Sequence, residues 1–183
     1  MRKARWRGAI TPGVASALLS TILLAIPAAA AELRLTINEI RSDRGEILIG
    51  LYDNAIGFRS AIANAATRGL MPESGRLIGT ALRAARGSQS TVFTQLPPGR
   101  YAAIVIHDEN DNGRLDKNAW GMPTEGYGFG NDAQGLLSAP SFDDAAIAIG
   151  DADVSTSISL IYPNGSLPQD RSDYNQLIGR SPE

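Results

Sequence analysis

The sequence predicts an all-β fold: an antiparallel Greek-key β-sandwich of about seven strands, with one or two short helical turns. Three observations predict it. Period-two alternation of apolar residues recurs along the chain, whereas helical spacing is confined to two short stretches. Clusters of Gly, Pro, Asp and Ser punctuate the alternating runs at short intervals, as in sandwiches and not in βαβ folds. The globular part, residues 32–162, has the size of one ordinary domain.

Each element has its own signal. Leu33, Leu35 and Ile37 alternate with Arg34, Thr36 and Asn38, a first strand. Ile47, Ile49 and Leu51 alternate with Leu48, Gly50 and Tyr52, a second, and Ser42-Asp43-Arg44-Gly45 has the composition of the hairpin between them. Phe58, Ile62 and Ala65 have helical spacing, with Gly69 as the stop. Residues 76–85 and 89–95 read as two more strands around Arg86-Gly87-Ser88. Leu96-Pro97-Pro98-Gly99 reads as a type II turn, with Pro98 presetting its φ and Gly99 expected in the left-handed region. From Arg100 to His107 both alternating faces are largely apolar, which predicts a central strand. Ser141-Phe142-Asp143-Asp144 reads as the start of a short helix through Ala148, and Val154 to Tyr162 as the last strand. Residues 163–183 are polar and rich in Pro and Gly, a loose tail.

Residues 1–31 stand outside this domain. Arg2, Lys3, Arg5 and Arg7 form a cationic start, Val14 to Ile26 an apolar stretch, and Ala28 to Ala31 a small-residue cleavage site. These are the parts of a secretory signal peptide. The expected cut follows Ala31 or Ala30 and leaves a periplasmic or secreted protein. A cut after Ala31 removes four of the 17 basic residues and none of the 19 acidic ones, so the remaining 152 residues carry a formal charge of −6. That balance disfavours nucleic acid as a partner, and no second apolar run is long enough to span a membrane. Without cysteine, thiolate chemistry, lipid attachment at the cleavage site and disulfides are excluded. His107 is the single histidine through which any histidine-based catalysis would have to run.

The chemistry concentrates after His107. Counting from Asp108, oxygen-bearing side chains stand at positions one, three, five and nine: Asp108, Asn110, Asn112 and Asp116, with Gly113 at position six. This is the first part of an EF-hand-type loop, in which alternate side chains converge on one cation and glycine permits the sharp turn. The Arg114 carbonyl adds a fifth ligand. Position twelve is Ala119, where a calmodulin-like loop has a bidentate glutamate, so water, Glu125 or Asp132 must complete the shell. Ca²⁺ is the cofactor this predicts, bound weakly, with a Kd of about 10⁻⁴–10⁻³ M. The alternative is an Asx-rich turn that satisfies itself without metal. Residues 119–132 interleave Trp120, Tyr127 and Phe129 with glycines. They read either as a platform for a glycan or peptide, or as a loop that buries its aromatics. His107 reads as a structural histidine bonded to loop backbone; a carbohydrate-active hydrolase or lyase using His107 and Glu125 is the catalytic alternative.

Four ordered motifs carry a resemblance: Leu96-Pro-Pro-Gly-Arg-Tyr-Ala-Ala103, the 107–116 segment, Gly121 to Asn131, and Ala139-Pro-Ser-Phe-Asp-Asp-Ala145. Together they resemble the DUF2141 family of exported bacterial proteins over about residues 35–148. The resemblance implies a prealbumin- or Cna-B-like sandwich and brings no assigned catalytic residues. Transthyretin-like hydrolases need several histidines, which this chain lacks. The reading is therefore a non-catalytic envelope module with a Ca²⁺ loop, whose partner is an envelope component or glycan.

Overall fold

A computed structural model describes residues 31–73, 75–135 and 139–163. It is an all-β sandwich with a helix laid over one sheet. In chain order the elements are β1 (Ala31–Ile40), β2 (Glu46–Tyr52), α1 (Ala55–Arg68), β3 (Leu77–Arg83), β4 (Gly87–Leu96), β5 (Gly99–Asp108), β6 (Gly126–Phe129), α2 (Phe142–Ala145), β7 (Ala146–Ile149) and β8 (Val154–Ser159). One sheet has the order β4-β1-β8; the other has β3-β2-β5. β6 and β7 share the far edge of β5 end to end, pairing with Ile104–His107 and Gly99–Ala102 respectively.

The alternating runs explain the inner layer. Leu33, Leu35 and Ile37 of β1 meet Ile49 and Leu51 of β2 and Ala103 and Val105 of β5 between the sheets. The opposite face of β5 is also buried: Ala102, Ile104 and Ile106 pack against Phe58, Ala61 and Ala65 of α1. The doubly apolar strand is thus central, as its sequence predicts, because one face meets a sheet and the other a helix.

α1 runs for 14 residues, well beyond the short turn expected. Asn54 caps it, its side chain accepting the Gly57 N–H at 2.8 Å, and Gly69 ends it with φ 66°. Its buried residues, Gly57, Phe58, Ala61 and Ala65, are mostly small, so its apolar stripe is faint in the sequence. Phe58 is the exception. Its ring makes edge contacts with Tyr52, Phe129 and Phe142 at centroid distances of 6.1, 6.1 and 6.2 Å.

Four details differ from expectation. β1 takes in Ala31, which pairs with Leu96 and is buried, although the sequence reading assigns it to the leader. The β1–β8 pair is parallel, because residues 150–153 carry the chain from one sheet across to the other instead of turning a hairpin. α2 stops at Ala145. Its Ser141–Asp144 capping box starts a helix as predicted, but Ile147 and Ile149 alternate in burial with Ala148, and period two wins. Near the Pro97-Pro98 turn the left-handed residue is Gln95 (φ 59°), not Gly99. The expected tail beyond 163 lies outside the described residues, as do residues 1–30 of the expected leader. Among the described residues no helix is long and apolar enough to cross a membrane.

Because Phe58 joins α1 to β2, β6 and α2, Phe58→Ala is expected to cost about 3–5 kcal/mol in urea unfolding. A cost below about 1 kcal/mol would show that α1 is not part of the cooperative core.

Candidate functional site: the acidic loop at the end of β5

β5 delivers Asp108 into the interior, where it is almost fully buried. A buried carboxylate needs donors, and the next residues supply them. Asp108 accepts the N–H of Asn112 at 3.0 Å on one oxygen and that of Gly113 at 2.5 Å on the other. The chain can turn back this tightly because Asp111 and Gly113 take φ values of 59° and 75°. Asp116 closes the ring: its oxygens accept the side-chain amides of Asn112 (2.9 Å) and Asn110 (2.7 Å). Asn112 in turn accepts the Arg114 N–H at 2.9 Å. Asp108, Asn110, Asn112 and Asp116 thus meet in one network, which Arg114 joins through its backbone.

Glu125 ties the ends of this loop together. One of its oxygens accepts the Glu109 N–H and the other the Asp116 N–H, both at 2.9 Å. Burial pushes its carboxyl above the usual range; these two N–H bonds pull it down, and the nearby charges of Asp116 and Asp108 push it up again. Asp132, the other residue considered for a ligand shell, caps the Ser159 N–H at 2.7 Å instead.

Two glycines, not singled out as site residues by sequence, clamp the loop from outside. A Cβ on Gly45 would lie 1.8 Å from the Asp108 carbonyl oxygen, and one on Gly69 would lie 2.1 Å from that of Gly113. The hairpin and the end of α1 therefore touch the loop backbone directly. Leu115 adds a bond to α1, its N–H reaching the Ala65 carbonyl at 2.9 Å.

Beside the loop lies a cation-rich cluster that sequence reasoning also missed, since it joins residues more than sixty positions apart. Arg41 forms an ion pair with Glu109, and Arg44 (3.2 Å) and Ser42 (2.6 Å) bond the same carboxylate. Burial opposes ionisation of Glu109, but these partners outweigh it and hold its carboxyl at about 2. Arg41 also donates to the Thr124 carbonyl at 3.1 Å and lies 4.4 Å over the Tyr162 ring.

His107 is fully buried on the inter-sheet face. Its Nε2 meets the Arg44 carbonyl at 2.9 Å and must donate there, and its Nδ1 lies 2.7 Å from the Tyr162 hydroxyl, from which the neutral ring would accept. The Tyr162 oxygen accepts the Arg41 N–H at 3.2 Å. Both ring nitrogens are engaged, and His107 and Glu125 share no hydrogen-bond partner among the described residues.

The aromatics of 119–132 separate. Tyr127 and Phe129 pack edge to face at 5.8 Å against the α1-side core. Trp120 is 89% exposed at the tip of a hairpin closed by the Lys117–Pro123 bridge and by Asn118, whose side chain accepts the N–H groups of Trp120 and Met122.

Chemically, Asp108, Asp116 and Glu125 are each satisfied by N–H donors, and none is ion-paired with a basic side chain among the described residues. Among those residues no three His, Cys, Asp or Glu side chains are gathered to hold a metal ion unaided. A cation in the loop would draw on asparagine and backbone oxygens as well.

The fold and site define a class: two-sheet sandwiches with one helix overlaid, and an acidic Asx loop locked by a buried glutamate. The chain belongs to DUF2141, a family described as an uncharacterized protein conserved in bacteria, which matches residues 35–157. No curated protein and no solved structure matches it.

Glu109 supplies a pH test. Its folded pKa lies below its unfolded value, so its stabilisation is present above about pH 4.5 and is lost as pH falls toward 2. Glu109→Gln is expected to cost about 2 kcal/mol at neutral pH and to flatten the stability profile in that acidic window. An unchanged acid limb would contradict the assignment.

Proposed function

We propose that this protein is a non-catalytic module of the bacterial cell envelope, whose 108–116 loop takes up Ca²⁺ and so braces the 117–125 hairpin. The observation that supports the reading is the network that joins Asp108, Asn110, Asn112 and Asp116, with no basic side chain ion-paired to either carboxylate among the described residues. Asp108 and Asp116 supply two carboxylates, Asn110 and Asn112 two amides that present either end, and Arg114 its carbonyl. Glu125 acts behind them, fixing the backbone of Glu109 and Asp116 as outer-shell carboxylates do. An ion here would relieve the repulsion among the three acids, at an affinity limited by the missing twelfth-position carboxylate.

The envelope location rests on the leader-like features of residues 1–31 and on the acidic remainder. An envelope component or glycan is the partner this location suggests. Cleavage near Ala31 is checked by mass spectrometry of the exported protein's N-terminus. Recovery of the intact chain in the cytoplasm would refute export.

In EDTA-treated protein, about 10 mM Ca²⁺ is expected to add roughly 1.5–3 kcal/mol of stability, read as a rise in Tm. Asp116→Asn should abolish most of that rise while leaving the protein folded. Failure of Ca²⁺ to raise Tm, or an equal rise in the variant, would refute the loop as its site.

A further inference from the structure

A cleft of about 540 Å³ opens on the α1 side of the second sheet, a size typical of small-molecule sites. Its accessible apolar lining comes from Ile62 of α1 and from Tyr127 and Phe129 of β6, with Ile104, Ile106 and Leu115 buried beneath them. Among the described residues, Lys117 is the one charged residue that lines it, and it makes no ion pair there. Exposed apolar residues stand around it. Ile161, on the rim, is 37% exposed, and Met122 and Trp120, beside the rim residues Gly121 and Pro123, are 49% and 89% exposed.

We infer that this cleft binds a medium- or long-chain fatty acid, the chain lying over Ile62, Phe129 and Ile161 and the carboxylate pairing with Lys117. The concave apolar floor suits a flexible hydrocarbon, because each methylene buried there contributes about 0.8 kcal/mol. The lone ammonium sets the polarity of the head. It offers one point charge, which suits a monoanionic carboxylate; phosphate sites more often use the paired forks of arginine. The inference does not rest on Ca²⁺ uptake, since no residue of the cleft is a side-chain ligand in that reading.

The test is calorimetric titration of the full chain with laurate below its micelle concentration, alongside n-dodecanol and butyrate. Methyl NMR of the isoleucines provides the map. Laurate is expected to bind one to one and to shift the Ile62 and Ile161 methyls. Butyrate, which lacks the chain, should not bind. Lys117→Glu should weaken laurate about fivefold while leaving dodecanol within about twofold. Ile161→Glu, a change at an exposed rim position, should weaken both. Laurate binding that neither variant alters would place the ligand elsewhere, for instance on the apolar stretch Val14 to Ile26, and would overturn the proposal. So would saturation without movement of those methyls, or a Lys117→Glu effect equal for laurate and dodecanol. If laurate binds in EDTA as in Ca²⁺, the cleft stands whether or not the loop takes up the metal.

Discussion

β5 has no solvent face, and this constraint organises the rest of the molecule. One face of the strand completes the inter-sheet core, and the other is covered by α1. A strand in that position cannot end on a polar residue without cost unless its neighbours satisfy it. It ends on Asp108, and the residues that follow fold back at once to do so. The tight turn at 111–113, the asparagines turned onto Asp116, and the clasp of Glu125 across Glu109 and Asp116 are all answers to a carboxylate delivered into the interior. The close approaches of Gly45 and Gly69 show how little space is left for any other path.

Two kinds of charge compensation meet at this end of the sandwich. Glu109 is neutralised by full charges, Arg41 and Arg44, and its ionised form is strongly favoured. Among the described residues, Asp108, Asp116 and Glu125 are compensated by dipoles, the N–H groups of backbone and asparagine. Dipoles satisfy lone pairs but leave net charge in place, so the three acids still repel one another. That residual charge is what a cation in the proposed site would offset. Arg41 does not remove the imbalance, because its guanidinium is taken up by Glu109, the Thr124 carbonyl and the Tyr162 ring.

The sandwich and the loop were legible in the sequence because both rest on local periodicity. Alternation marks β1, β2 and β5, and the spacing from Asp108 to Asp116 marks the residues that meet in one hydrogen-bond network. What escaped depends on contacts distant in sequence. α1 reads short because alanine and glycine fill most of its buried stripe. β6, with glycine at every second position, reads as loop until β5 and Ile161 are beside it. The pairing of β8 with β1 needs a crossover that no turn signal announces. Arg41 and Glu109, or Gly45 and Asp108, become partners only once the hairpin folds over the end of β5.

The segment Leu115–Lys117 joins the loop to the cleft. Successive side chains of an extended segment point to opposite sides, and here the two sides are different sites. Asp116 turns inward to hold Asn110 and Asn112, while its neighbours Leu115 and Lys117 both line the cleft. The backbone between them is fixed at three points: Leu115 N–H to Ala65, Asp116 N–H to Glu125, and the Asp116 carbonyl to the Thr124 N–H. A three-residue wall pinned in this way leaves Leu115 and Lys117 little freedom to move unless Asp116 moves with them. The order of the acidic loop therefore sets the shape of the apolar cleft behind it.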